Sequence, residues 1–118
     1  MISFTCDAKP VSTNASYIRS KQGRLCKTPE AVAFCGRLQL AARKAMRGAK
    51  PLAGSLSVGL TFHFANERPD TDGPIKPVLD ALQRIVYVND RQVRRLVVER
   101  AIDKQRPRVE VCVVEVTP

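Results

Sequence analysis

Tryptophan is absent from the 118 residues, histidine occurs once, and the only other aromatic residues are two tyrosines and four phenylalanines. So few flat side chains argue against an aromatic platform for single-stranded nucleic acid or RNA. No apolar run approaches the ~20 residues of a membrane span. The start, MISFTCDAKP, lacks the basic-then-apolar order of a secretory leader, so a cytoplasmic protein is expected. Cys6, Cys26, Cys35 and Cys112 lie far apart with no C-x-x-C pair, and only His63 could join them. Zinc prefers short, paired ligand spacings, and the expectation is four free thiols with no zinc.

Acidic residues are nearly missing from the first half. Residues 1–50 hold ten Lys or Arg against Asp7 and Glu30, a net +8, whereas residues 51–118 hold ten against nine acids, a net +1. A formal charge of +9 and a pI near 10.0 in so short a chain call for a polyanionic partner, with nucleic acid favoured over an anionic membrane.

At this length a single domain, residues 1–118, is expected. Ile2 to Cys6 alternates as a short strand, and the polar stretch from Lys9 to Lys27 reads as a long loop or ragged hairpin. Thr28-Pro29-Glu30 supplies an N-cap, a first-turn proline and a first-turn acid. A helix over 29–47 follows from the spacing of Val32, Cys35, Leu38, Ala42 and Ala45, with Gly48 just past its end. Leu56, Val58, Leu60, Phe62 and Phe64 alternate with Ser57, Gly59, Thr61 and His63, the period of a half-buried strand. This leaves His63 on the polar face, outside any active site. Ile75, Val78, Leu79 and Leu82 predict a second helix over 74–84, and strands over 92–102 and 108–116 follow. The class is α+β: one mixed sheet with two helices, in the order strand, helix, strand, helix, strand, strand.

The acids carry the chemical signal. Asp70 and Asp72 stand one residue apart before the second helix, and Asp90 follows it in a turn. If the short apolar piece 85–88 pairs beside the first long strand, Asp90 returns toward the start of that helix. Converging carboxylates repel unless cations sit among them, and Mg²⁺ takes such oxygen ligands while bridging to phosphate. Lys76 lies four residues after Asp72 and four before Asp80, placed to stabilise a phosphate undergoing attack. The same spacing equally suits aspartates that cap a helix and a lysine that pairs along it. Arg19, Lys21, Arg24, Lys27 and Arg68 are the expected phosphate contacts.

The stretch PDTDGPIKPVLDALQRIVYVNDRQV, 69–93, resembles the signature of the RusA family of Holliday junction resolvases, D-x-D-N, a lysine, D-A-L and D-D-x-Q-V. PVSTNASYIRSKQGR, 10–24, is similar to that family's opening, which adds Asn14 and Tyr17 as supporting residues. The resemblance implies that Asp70, Asp72 and Asp90 bind catalytic Mg²⁺, with Mn²⁺ as a substitute, and that Lys76 is the catalytic lysine, with Asp80 supporting. It also implies a homodimer of bacterial or phage origin that nicks a four-way DNA junction symmetrically in recombination and repair, with no small-molecule cofactor. Other branched DNA, flaps or forks, and a non-catalytic nucleic-acid-binding module are the alternatives. Gly73 stands where the family usually has Asn, and Asn89 where the first aspartate of D-D belongs; weaker metal affinity is the expected effect.

Overall fold

The computed structural model describes residues 1–117. Strand β1 covers Ile2–Cys6, short strands β2 and β3 cover Tyr17–Arg19 and Leu25–Lys27, and helix α1 covers Pro29–Met46. Strand β4 (Leu56–Phe64), helix α2 (Ile75–Leu82), a 3-10 turn (Asp90–Gln92), β5 (Val93–Ile102) and β6 (Arg108–Glu115) follow. The main sheet runs β1-β6-β4-β5, and β2 and β3 form a separate two-stranded sheet. The α+β class and mixed sheet are as the sequence predicts. The polar stretch takes its hairpin alternative and so adds a second sheet to the one expected.

The alternation in β4 becomes physical here. Leu56, Val58, Leu60, Phe62 and Phe64 are buried against the helices, together with Phe34, Leu38, Ala42 and Met46 of α1 and Val78, Ala81 and Leu82 of α2. Ser57, Gly59, Thr61 and His63 face the uncovered side of the sheet, where His63 Nε2 lies 3.3 Å from Glu110 Oε2. β4 pairs parallel with β5 and antiparallel with β6. A parallel partner requires a crossover, and the segment 65–92 is that crossover. It carries every acid of the predicted site.

Thr28 caps α1 through its side chain, which accepts from Ala31 N at 3.2 Å, with Pro29 in the first turn as expected. The left-handed exit begins one residue before the expected glycine, at Arg47 (φ 51°), and continues through Gly48 (φ 79°). Gly48 relieves the second of two such residues, and Arg47 is held by its N–H on Arg43 O at 3.2 Å.

The return of the chain after α2 differs in detail from the sequence reading. The piece 83–88 does not run along β4. It folds back at Arg84 (φ 69°) and meets the approach to β4, with Leu52 N donating to Val86 O at 2.8 Å. Tyr87 is wholly buried there, its hydroxyl donating to Leu79 O at 2.6 Å. That anchor fixes the level at which Asp90 leaves the core.

Candidate active site

Two adjoining clefts lie along one side of the molecule. The larger, about 920 Å³, is bordered by residues 8–15, by Arg37 on α1, and by Arg68, Asp70, Asp72 and Gly73. The smaller, about 210 Å³, is bordered by Tyr17 and Lys27 of the hairpin, Gln39 of α1, and Lys76 and Asp80 of α2. Thr13 borders both. Its N–H and hydroxyl reach Gly73 O at 2.9 and 3.2 Å, tying the N-terminal loop to the acidic loop across 60 residues of sequence.

Asp70 and Asp72 reach the first cleft from the loop between β4 and α2. Capping does not account for them, because α2 begins after Pro74 with no side-chain cap. Instead the backbone closes the turn: Gly73 N donates to Asp70 O at 3.2 Å and Ile75 N to Asp72 O at 3.1 Å. Both carboxylates belong to exposed residues facing a cleft that also holds Lys9, Arg37 and Arg68.

Lys76 gathers a second group. Its ammonium lies 2.8 Å from Asp80 Oδ1 and 3.6 Å from Asp90 Oδ2. The hydrogen bond that Lys76 donates to Asp80, and then the charge of Asp80, hold the Lys76 pKa above the usual lysine range, with Asp90 adding a smaller contribution. Of the two carboxylates at four-residue spacing, Lys76 pairs with Asp80 rather than Asp72.

Asp90 is placed by its neighbours. Asn89 caps the 3-10 turn, its Oδ1 accepting from Arg91 N at 2.8 Å, while Gln92 Oε1 accepts from Asn89 N at 2.8 Å. Gln92 Nε2 also donates to Leu52 O and Gly54 O, at 2.8 and 2.9 Å. One amide thus closes the turn and fastens it to the approach to β4. The motif Asn89-Asp90-Arg91-Gln92 thus fixes the backbone at Asp90.

Carboxylate oxygens are the donors a hard divalent cation takes, so the chemical type fits. The assembly does not: among the described residues, no three Asp, Glu, His or Cys side chains gather as one metal-binding set. Asp70 and Asp72 stand in one cleft, while Asp90 stands with Asp80 on Lys76.

The structure gives physical reasons for the two departures from the signature. A methyl carbon built on Gly73 would lie 2.8 Å from Ser12 Cβ, so Asn there forces the 12–13 turn away. Asn89 already performs the capping that either Asn or Asp provides. Gly73→Asn is therefore expected to destabilise by about 1–3 kcal/mol, and Asn89→Asp by under about 0.5 kcal/mol. Urea unfolding checks both; a destabilised Asn89→Asp and a neutral Gly73→Asn would reverse these assignments.

Among the expected phosphate contacts, Arg19, Lys21, Arg24 and Lys27 lie exposed on the β2–β3 hairpin and its turn, and Arg68 borders the larger cleft. Arg19 is partly engaged, one guanidinium nitrogen donating to Gly23 O at 2.9 Å. Asn14 borders the larger cleft and Tyr17 the smaller. Arg37 escaped the sequence reading as a site residue. It stands off the apolar stripe of α1, and only the packing of residues 8–15 against that helix turns it into a cleft wall. Among the described residues, no helix is long and apolar enough to cross a membrane.

A protein-family model described as endodeoxyribonuclease RusA matches residues 7–114. No individually curated protein matches the chain.

Proposed function

The chain belongs to the RusA family of endodeoxyribonucleases, and from that membership we propose that it resolves four-way (Holliday) junctions by paired symmetric nicks in recombination and repair. Its class of reaction is phosphodiester hydrolysis within DNA. The observation that carries the reading further is Lys76, held by Asp80 and Asp90 one turn after the Asp70–Asp72 loop, beside a cleft that Lys9, Arg37 and Arg68 border together with the acids.

In hydrolysis a water oxygen bonds to phosphorus as the bond to the leaving sugar oxygen breaks, and negative charge grows on the phosphoryl and leaving oxygens. Lys76, kept charged by its two carboxylates, is placed to stabilise that charge. Arg68 and Arg37 hold the phosphates on either side, and the hairpin cations Lys21, Arg24 and Lys27 hold the flanking duplex. Asp70 and Asp72 bring to the larger cleft carboxylates of the type a divalent cation takes, whereas Asp90 stands apart on Lys76 and the three do not form one metal-binding set.

Two nicks related by symmetry need two sites related by a two-fold axis, so the active form is a homodimer. The uncovered face of the sheet supports this. Arg95, Glu99, Arg108 and Glu110 there carry balanced charge in an otherwise strongly basic chain, and Ser3, Thr5, Gly59, Thr61 and Cys112 keep the face shallow.

The test is gel-resolved cleavage of a synthetic four-way junction with and without Mg²⁺, beside a flap, a fork and a linear duplex. Paired symmetric nicks confined to the junction are expected. Faster cutting of the flap or fork would assign the enzyme to other branched DNA.

A further inference from the structure

Arg100 is the one arginine of β5 whose side chain turns beneath the loop that carries Asp70 and Asp72. It lies opposite the buried Phe62 in the parallel register, with its guanidinium carbon 4.7 Å above the Phe64 ring. From there one nitrogen donates to Pro69 O at 2.7 Å and to Thr71 Oγ1 at 3.1 Å. The other approaches Glu67 O at 3.5 Å and the Glu67 carboxylate at 3.8 Å. The two short bonds fall on the residues immediately before and after Asp70. The side chain is only 28% exposed, against 83% for Glu67, so the backbone contacts are the substance of the interaction.

We infer that Arg100 is a positioning residue: it sets the path of the Glu67–Thr71 backbone and thereby aims the Asp70 and Asp72 carboxylates at the substrate phosphate. The inference rests on the nuclease reading of that loop. A planar fork supported on an aromatic face can serve a carbonyl and a hydroxyl from one nitrogen while keeping a fixed direction. A lysine ammonium reaches one of these partners without the same constraint. The loop needs such a hold, because the carboxylates it carries repel each other and α2 offers them no cap. Gly73 is held from the other side by Thr13, so the acidic loop is fastened at both ends, to β5 before Asp72 and to the N-terminal loop after it.

The test compares wild type with Arg100→Met, Arg100→Lys, Thr71→Val and the Arg100→Met/Thr71→Val double variant, by single-turnover junction cleavage, gel-shift affinity and amide hydrogen exchange. A misplacement of about 1 Å costs on the order of 100-fold in rate, so Arg100→Met is expected to lower kcat by about 10- to 100-fold. Junction affinity and KM stay within about two-fold, since no phosphate contact is lost. Arg100→Lys recovers part of the rate. Thr71→Val costs about three-fold alone and little on top of Arg100→Met, as partners in one contact are not additive. Amides of residues 67–73 exchange faster in Arg100→Met while those of β4 and β6 do not.

Weakened junction binding with kcat kept would make Arg100 a DNA contact and overturn the inference. Unchanged exchange at 67–73 would overturn it whatever the activity. Accelerated exchange confined to 67–73, in a protein whose wild type cuts no junction, would leave the hold on the loop standing and remove the resolvase reading instead.

Discussion

Asp72→Asn is expected to slow junction cleavage by ~10³-fold or more, about 4 kcal/mol of transition-state stabilisation, while leaving junction affinity at or above the wild-type value. The replacement keeps the shape of the side chain and removes its charge. The structural duties of the residue belong to its backbone, whose carbonyl accepts from Ile75 N at 3.1 Å, and these survive. The exposed carboxylate faces a cleft shared with Lys9, Arg37 and Arg68, so its loss makes that cleft more attractive to phosphate. Binding and catalysis therefore part company. The check is a single-turnover assay beside a gel shift on the same junction, and a variant that retains more than a tenth of the wild-type rate would remove Asp72 from the chemistry.

Lys76→Met gives the second large effect, a fall in kcat of about 10²- to 10³-fold. The closer of the ion pairs that Lys76 makes is exposed, with Lys76 at 64% and Asp80 at 47%. Pairs of this kind contribute only about 0–1 kcal/mol to folding, so the thermal midpoint should move little. A large loss of rate from a nearly unchanged fold separates a catalytic cation from a surface pair. Lys76→Arg should retain a fraction of the activity, because the charge persists while its position shifts. Equal rates for wild type and Lys76→Met would reduce the lysine to a helix-surface partner of Asp80.

How much of this the sequence carries depends on whether the signal is local. The alternation of β4 and the capped start of α1 are decided by neighbours within a few residues, and both appear where expected. The hairpin is ambiguous in the sequence because Tyr17–Arg19 and Leu25–Lys27 are short and hold no buried residue, which leaves no buried face to impose a period. The acids are legible as residues but not as an arrangement. Spacing along α2 offers Lys76 two partners and cannot choose, since the choice depends on where Asp90 returns, and that is set by Arg84, Tyr87 and Gln92. Arg100 illustrates the limit best. In a strand containing Arg94 and Arg95 it reads as one more charge for DNA, for a dimer or for a solvated edge, and only the loop passing over Phe64 gives it something to hold.

The sheet order also governs when the enzyme comes into being. β6, which follows β5 in the chain, lies between β1 and β4, pairing Ile2 with Val113 and Val58 with Val113 across its two edges. A nascent chain that has emerged only as far as β5 has both clefts encoded and no strand to pair with both β1 and β4. Long-range pairings of this kind close late and slowly, and domains complete themselves only once all their strands are available. The closed main sheet therefore exists only once β6 has been made, and a chain that ends before it carries the acids of 70–90 without that sheet beneath them.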